Sequence, residues 1–375
     1  MIRLLCKSLF VLLLVAMPTV ALAQEPTAVA SPVYWHGALS GSEQQFNPAT
    51  VWLNGTYDIL RGISYQDSPF RVDYWGGIRN VGRNLLHPLD NLDRIGWARF
   101  AAHEIFPYRG WDVRYGQFVP NIVLHGFGEG MLYRKLDEWY AAHDVAYPRL
   151  AALGTIVAMQ LGNEVVENGG YQGAVQDPIA DVWIFNPIGL LLFSHDPFVR
   201  ALDRWVHISY WPSQAVFAPQ GLRLLNAGEN YGMKVTTGLP VRGFMYYGVQ
   251  GLFGASVPLG AGHDLSVAGG YRLLQLKAEE RVDGRTMVPD GDGDWELGVF
   301  WDRDDSLQMS AIAGLVTDPS LRFEFYPGLL NLGPVSLGGF AKVSSMEGFA
   351  TGLTIGGSPL GLGAIAPRDH GLERF

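Results

Sequence analysis

The sequence predicts an α+β protein, in which an N-terminal helical segment fills or caps an antiparallel β-barrel of outer-membrane type with about eight to twelve strands. Three observations predict this. Apolar residues recur at three- and four-residue spacing from Gly76 to about Trp205 and then switch to alternation. Glycine and aromatic residues are abundant, with 47 Gly, 11 Trp, 16 Tyr and 19 Phe against 17% charged residues; that mixture suits closely approaching strands and interfacial rings. The chain also opens on a secretory signal, which places the mature protein outside the cytoplasm.

The signal consists of Arg3 and Lys7, an apolar run from Leu9 to Met17, and Thr19-Val-Ala-Leu-Ala23 before Gln24. This is the charged, apolar, small-residue order that a signal peptidase reads, and cleavage is expected after Ala23. The apolar run falls short of the roughly 20 residues that span a bilayer. Cleavage removes Cys6, the only cysteine, and with it any thiol, disulfide or cysteine metal site. It also lowers the basic count from 27 to 25 against 36 acids, taking the formal charge from -9 to -11, which argues against nucleic acid as a partner. Membrane lipid is the expected partner, and no protein partner can be named. The expected location is the outer membrane, with the periplasm as the alternative.

Residues 24–75 mix aromatic and turn residues, as in Thr50-Val-Trp-Leu-Asn-Gly55, and predict one or two strands. Residues 76–206 predict four to six helices, broken at Pro88, Pro107, Pro120, Pro148, Pro178 and Pro197. In the stretch from Pro120 through Tyr140, Val123, Phe127, Met131 and Leu132 make an apolar side and Gly126 and Gly130 a small one, which predicts close helix packing. The next helix should run from Pro148 to about Glu167 and stop at Asn168-Gly-Gly170. A third should begin at Asp177-Pro178, with Asp177 as its cap, and kink or break after Trp183 because of Pro187. Leu150 to Gly162 and Val182 to Phe193 are too short and interrupted to read as inner-membrane helices.

Residues 207–366 carry the strands. Trp295, Leu297, Val299 and Trp301 alternate with Glu296, Gly298 and Asp302; Leu321, Phe323 and Phe325 alternate with Arg322 and Glu324. Further strands are expected around 233–239, 244–255, 265–279, 307–316, 335–343 and 349–357. The polar stretch from Ala278 to Asp294 reads as an outward loop, residues 367–375 as a tail, and the last strand as 349–357 or 360–365. A soluble sandwich alternates too; the two architectures differ in which face is apolar, outward in a barrel in lipid and inward in a sandwich.

The helical half concentrates polar candidates: His87, His103, Glu104, His125, Glu129, His143, Glu164, Asp177, Asp181 and Asn186. His125 and Glu129, four apart, share a helix face and can hydrogen-bond as acid and base. Glu164 ends an apolar helix, where the negative helix terminus disfavours it, so His125 or Arg134 is expected to compensate. The candidate catalytic set is His125, Glu129, Glu164 and Asp181. No cofactor or metal site is expected: His103-Glu104 lacks the second histidine of a zinc-protease helix, since residue 107 is proline, and Asp290-Gly-Asp292-Gly-Asp294-Trp-Glu296 lacks the glycine and distant glutamate of a calcium loop. Nucleophile elbow, phosphate loop and nucleotide fingerprint are absent from the sequence.

The order His125-Gly-Phe-Gly, Asn163-Glu164, Asp177-Pro-Ile-Ala-Asp181 and Asn186-Pro-Ile-Gly189, over about residues 118 to 195, resembles the bacterial envelope family called domain of unknown function 3943. More distantly it is similar to the VanZ-like group of helical membrane proteins. The resemblance implies an exported protein pairing a helical segment, with polar residues gathered inside, to a β-rich remainder; it brings no reaction. Together these readings predict an envelope protein of structural or maintenance role. The alternative is an envelope hydrolase acting on lipid or cell-wall material, with His125 as base and Glu129 or Glu164 orienting it.

Overall fold

The change of period after Trp205 is a change of architecture. The computed structural model describes residues 32–61, 68–106, 118–170, 174–273, 277–281, 284–288 and 293–366; the expected signal 1–23, with Cys6 and Ala23, and the tail 367–375 lie outside them. The chain divides into a helical unit (Met1–Trp35, Val72–Asp203 and Leu276–Gly291) and a sheet unit (His36–Arg71, Arg204–Gln275 and Asp292–Phe375).

The strands are β1 (Val206–Tyr210), β2 (Val216–Ala218), β3 (Arg223–Leu225), β4 (Tyr231–Val235), β5 (Arg242–Tyr247), β6 (Gln250–Gly260), β7 (His263–Leu273), β8 (Lys277–Arg281), β9 (Gly284–Val288), β10 (Gly293–Arg303), β11 (Ser306–Gly314), β12 (Ser320–Leu332), β13 (Val335–Ser344), β14 (Gly348–Ile355) and β15 (Gly361–Ala366). Thirteen of them form one mostly antiparallel sheet in the order β1-β4-β5-β6-β7-β10-β11-β12-β13-β14-β15-β2-β3. The exception to antiparallel pairing is β15 with β2, through Gly361↔Val216 and Leu362↔Phe217. β1 with β4 and β2 with β3 keep a single register, from Val206↔Val235 to Ala218↔Arg223, continued between them by Trp211 N–H to Asn230 O and Ser213 N–H to Gly228 O.

Several expectations shift in detail. The run 244–255 is two strands that turn at Gly248-Val249. The expected loop 278–294 contains the separate hairpin β8–β9 and the start of β10. Of the calcium-like residues, Asp290 and Asp292 lie outside the described residues; Asp294 accepts from the N–H groups of Val316, Thr317 and Asp318, and Glu296 sits within β10. Both candidate last strands form, as β14 and β15.

The two faces of the sheet differ in polarity. Along β10, Trp295, Leu297 and Val299 are 59%, 53% and 44% exposed, whereas Asp294, Glu296 and Asp302 are 2%, 5% and 0% exposed. On β7, Leu265 and Val267 are exposed while Asp264 and Ser266 are buried; on β14, Leu353 and Ile355 are exposed and Thr354 is buried. The buried face also holds an aromatic cluster, in which Trp211, Phe244 and Tyr246 surround Phe300 with ring centroids 4.6–6.0 Å from it.

Residues 36–71 form no strand among the described residues. They fold as α1 (Ser42–Gln45), α2 (Pro48–Thr56) and two short 3-10 turns. The overlooked signal is Asn47-Pro48: the Asn47 carboxamide accepts from Thr50 N–H at 3.0 Å and proline takes the first helical position. This segment bonds to the strands' buried side through polar groups, with Glu43 N–H donating to Ser306 Oγ and Gly228 N–H to Asn54 Oδ1.

In the helical unit, α3 (Tyr74–Leu86), α4 (Pro88–Ile95) and α5 (Trp97–Phe100) precede α6 (Glu129–Ala142), α7 (Pro148–Glu167), α8 (Asp177–Ala180), α9 (Asn186–Phe193) and α10 (Asp196–Asp203). α7 has the expected bounds, with Pro148 in its first turn and Asn168-Gly-Gly170 past its end. No single helix among the described residues is long and apolar enough to cross a membrane; one pair, Asp177–Phe193 with Asp196–Asp203, passes by length and composition but is bent by 86°. The core of this unit includes Leu92, Phe100, Ile179, Ala180 and Phe185.

Candidate functional site

Among the described residues, three segments of the helical unit are π-helical, and each carries candidate polar residues: Ala101–Ile105 with His103 and Glu104, Asn121–Gly128 with His125, and Asp181–Phe185 with Asp181. A π turn inserts a residue into the helical ladder at some cost in hydrogen-bond geometry, and such turns concentrate at functional positions. At Asp181 the cause is local. Pro187 has no N–H for the Trp183 carbonyl, and the Asn186 N–H reaches back to the Asp181 carbonyl instead.

Glycines bring these turns together. A Cβ at Gly189 of α9 would lie 2.5 Å from the Gly126 carbonyl oxygen and 2.8 Å from that of His125; one at Gly130 would lie 2.5 Å from Phe193 Cδ2. The small side expected at Gly126 and Gly130 is therefore where α9 docks, and the approach sets His125 beside Asp181.

All four candidate residues meet at one place. His125 Nδ1–H donates to Glu129 Oε1 at 2.6 Å, and its Nε2 lies 3.5 Å from Asp181 Oδ2. Gln160, with its amide nitrogen toward Glu129, donates to both carboxylate oxygens at 2.6 and 3.0 Å. Its carbonyl then lies 3.4 Å from Glu164 Oε1, an arrangement that suits a protonated Glu164. Asn168 Nδ2 donates to Glu164 Oε2 at 3.2 Å and to the Glu164 carbonyl at 2.9 Å. One oxygen from each of Glu164, Asp177 and Asp181 lies within 4.8 Å of the others.

Two expectations are corrected here. Asp177 is not a cap: it occupies the first turn of α8 after Gln176, and its carboxylate joins the cluster. Arg134 does not compensate Glu164; it binds Glu138 at 2.8 Å and Asp196 at 2.5 Å. Among the remaining candidates, Glu104 pairs with His103 at 2.8 Å and accepts from Asn121 Nδ2 at 2.9 Å. His87 and His143 are exposed and stand apart, His143 stacked on Trp139 with centroids 3.8 Å apart.

The cluster's electrostatics are those of crowded acids. Burial, then the charges of Asp177, Glu167 and Glu129, pushes Glu164 well above the usual carboxylate range. Burial followed by Glu167 and Glu104 does the same to Asp177, and burial followed by Asp177 and Glu164 to Asp181. For His125, burial opposes the charged ring most strongly, yet the Glu129 carboxylate and its hydrogen bond outweigh it and raise the imidazole above its ordinary value. The site can therefore hold and pass protons, or accept a cation from outside the chain.

Gln160 and Asn168, which the sequence does not mark as candidates, did leave a signal: together with Glu164 they recur every four residues over the last turns of α7 and its C-terminal cap. The sheet unit contains a second acid cluster, Asp264, Asp302 and Asp305, but Lys234 Nζ reaches all three at 2.7, 2.5 and 2.9 Å. Compared with known proteins, the chain matches no family model, no curated protein and no solved structure.

Proposed function

We propose that the chain is an integral outer-membrane protein of structural or envelope-maintenance role, its sheet closed into a barrel with the apolar face toward hydrocarbon. The observation that carries this reading is the polarity of β10, where tryptophan, leucine and valine face outward and two aspartates and a glutamate face inward. In water that arrangement is inverted; in lipid it is the expected one, because hydrocarbon solvates the outer side chains and the polar groups satisfy one another inside.

The pairing pattern supports closure. Residues 206–218 bond their hairpin partner 223–235 along one edge and β15 along the other, while 223–235 also bonds β5. With each hairpin arm counted once, a closed sheet in this order would have eleven strands. Fractionation tests the proposal: the mature protein should require detergent for release and should migrate differently in gels before and after boiling. Release by osmotic shock alone would sink it.

One observation favours a second reading, an envelope hydrolase acting on lipid or cell-wall material. His125 is held by Glu129 on one nitrogen and faces Asp181 with the other, the geometry of an oriented general base. His125→Ala should then abolish turnover of a phospholipid or peptidoglycan substrate with folding intact; unchanged turnover removes the reading.

A further inference from the structure

We propose that the helical unit binds a hard divalent cation, of the magnesium, manganese or calcium class, between Glu164, Asp177 and Asp181. The proposal is independent of where the sheet unit resides and of whether the site catalyses a reaction.

Three observations on geometry carry it. First, the mutual spacing of the three oxygens, within 4.8 Å, matches ligands gathered around one ion at about 2.0–2.6 Å from each. Second, Asp181 is 3% exposed, and its Oδ1 is fully buried without a hydrogen-bond partner. A buried carboxylate oxygen without a donor is costly, and an ion at the triad would satisfy it. The side-chain amide oxygen Oδ1 of Asn186, five residues further along, is likewise buried without a partner, and amide oxygens are ligands of the same hard cations. Third, no lysine or arginine among the described residues pairs with any of the three carboxylates. Of the basic groups that do act on them, His125 is shared with Glu129, and His103, which acts on Asp177, is paired with Glu104.

The fold explains why the site is built as it is. The π turn at Asp181–Phe185 places Asp181 and Asn186 five residues apart on one face, and a regular helix would separate them around its axis. Asp177 is the least buried member of the triad. An all-oxygen ligand set favours hard cations over zinc or copper.

The test uses the full mature chain, purified in detergent, stripped with chelator and titrated with Mn²⁺, which reports by electron paramagnetic resonance as well as by a shift in melting temperature. The expected result is one saturable Mn²⁺ per chain, competed by Mg²⁺ or Ca²⁺, with a rise in melting temperature on binding. Glu164→Gln and Asp181→Asn should each weaken binding by about tenfold or more, at least as much as a supporting-residue change does. Both remove one of several repelling acids, so the metal-free variants should melt no lower than the metal-free parent, which guards against loss of binding through misfolding. A parent that takes up no Mn²⁺, or variants that bind it as the parent does, would overturn the proposal.

Discussion

The two acid clusters of this protein answer the same problem differently. In the sheet unit, Lys234 stands among Asp264, Asp302 and Asp305, and Arg242 adds a second contact to Asp264 at 2.9 Å. In the helical unit, Glu164, Asp177 and Asp181 come equally close, and no lysine or arginine among the described residues pairs with them. Buried like charges need either protons or a counter-charge. The first cluster carries its counter-charge within the chain, on Lys234. The second leaves the choice to the surroundings, which is how a structural ion network differs from a site able to respond to pH or to an ion.

The largest effect should come from removing the built-in cation. Lys234→Met leaves three acids facing one another, one of them wholly buried, and should cost about 3–5 kcal/mol in a reversible unfolding titration. A cost near zero would mean that the sheet cluster does not depend on Lys234, and the contrast would fail. The converse change supplies a lysine at the helical cluster. Asp177→Lys should raise the stability of metal-free protein by about 1.5–3 kcal/mol, the worth of hydrogen bonds to a charged group, and should abolish Mn²⁺ uptake. Destabilisation with uptake intact would contradict both halves of the comparison.

The smallest effect is the pH dependence of the metal-free protein. Folded-state values of Glu164, Asp177 and Asp181 lie above those of the unfolded chain, so the folded state binds more protons. The stability they contribute is present below the ordinary carboxylate range, near pH 4, and is lost as pH rises through the raised folded values. Asp196 has the opposite sign: burial resists its charge, but Arg134 more than offsets that and holds its value down, so its contribution is lost as pH falls through that lowered value. The metal-free melting temperature should therefore decline from pH 5.5 to 8 while the increment from added Mn²⁺ grows, because ion and proton compete for the same oxygens. A flat profile would show that the three acids are not coupled through one site.

How legible these features were depended on how local their causes are. The helix from Pro148 to Glu167 could be read outright, since proline at its start, an apolar period and Asn-Gly-Gly at its end all lie within the segment. The alternation on β10 was equally plain, and His125 with Glu129 followed from their spacing. Residues 36–71 were misread as strand-bearing because aromatic content outweighed the Asn47-Pro48 start signal. Asp177 was misread because an aspartate before proline is usually a cap; its partners, Glu164 and Asp181, are 13 and four positions away and meet it only through packing. The π turn at Asp181–Phe185 was legible only in part: Pro187 announces the lost hydrogen bond within the segment, but a kink or break and a π turn are both ways to absorb it.

By itself, the sequence determined the change of period after Trp205, the helix from Pro148 to Glu167 and the alternation along strands such as β10, because these depend on neighbours within a few positions. Only the tertiary structure decided which side of each strand is buried and which acids share a pocket. Pairing partners and helix approach join residues far apart in the chain, and the free energy of a charge depends on what surrounds it in space.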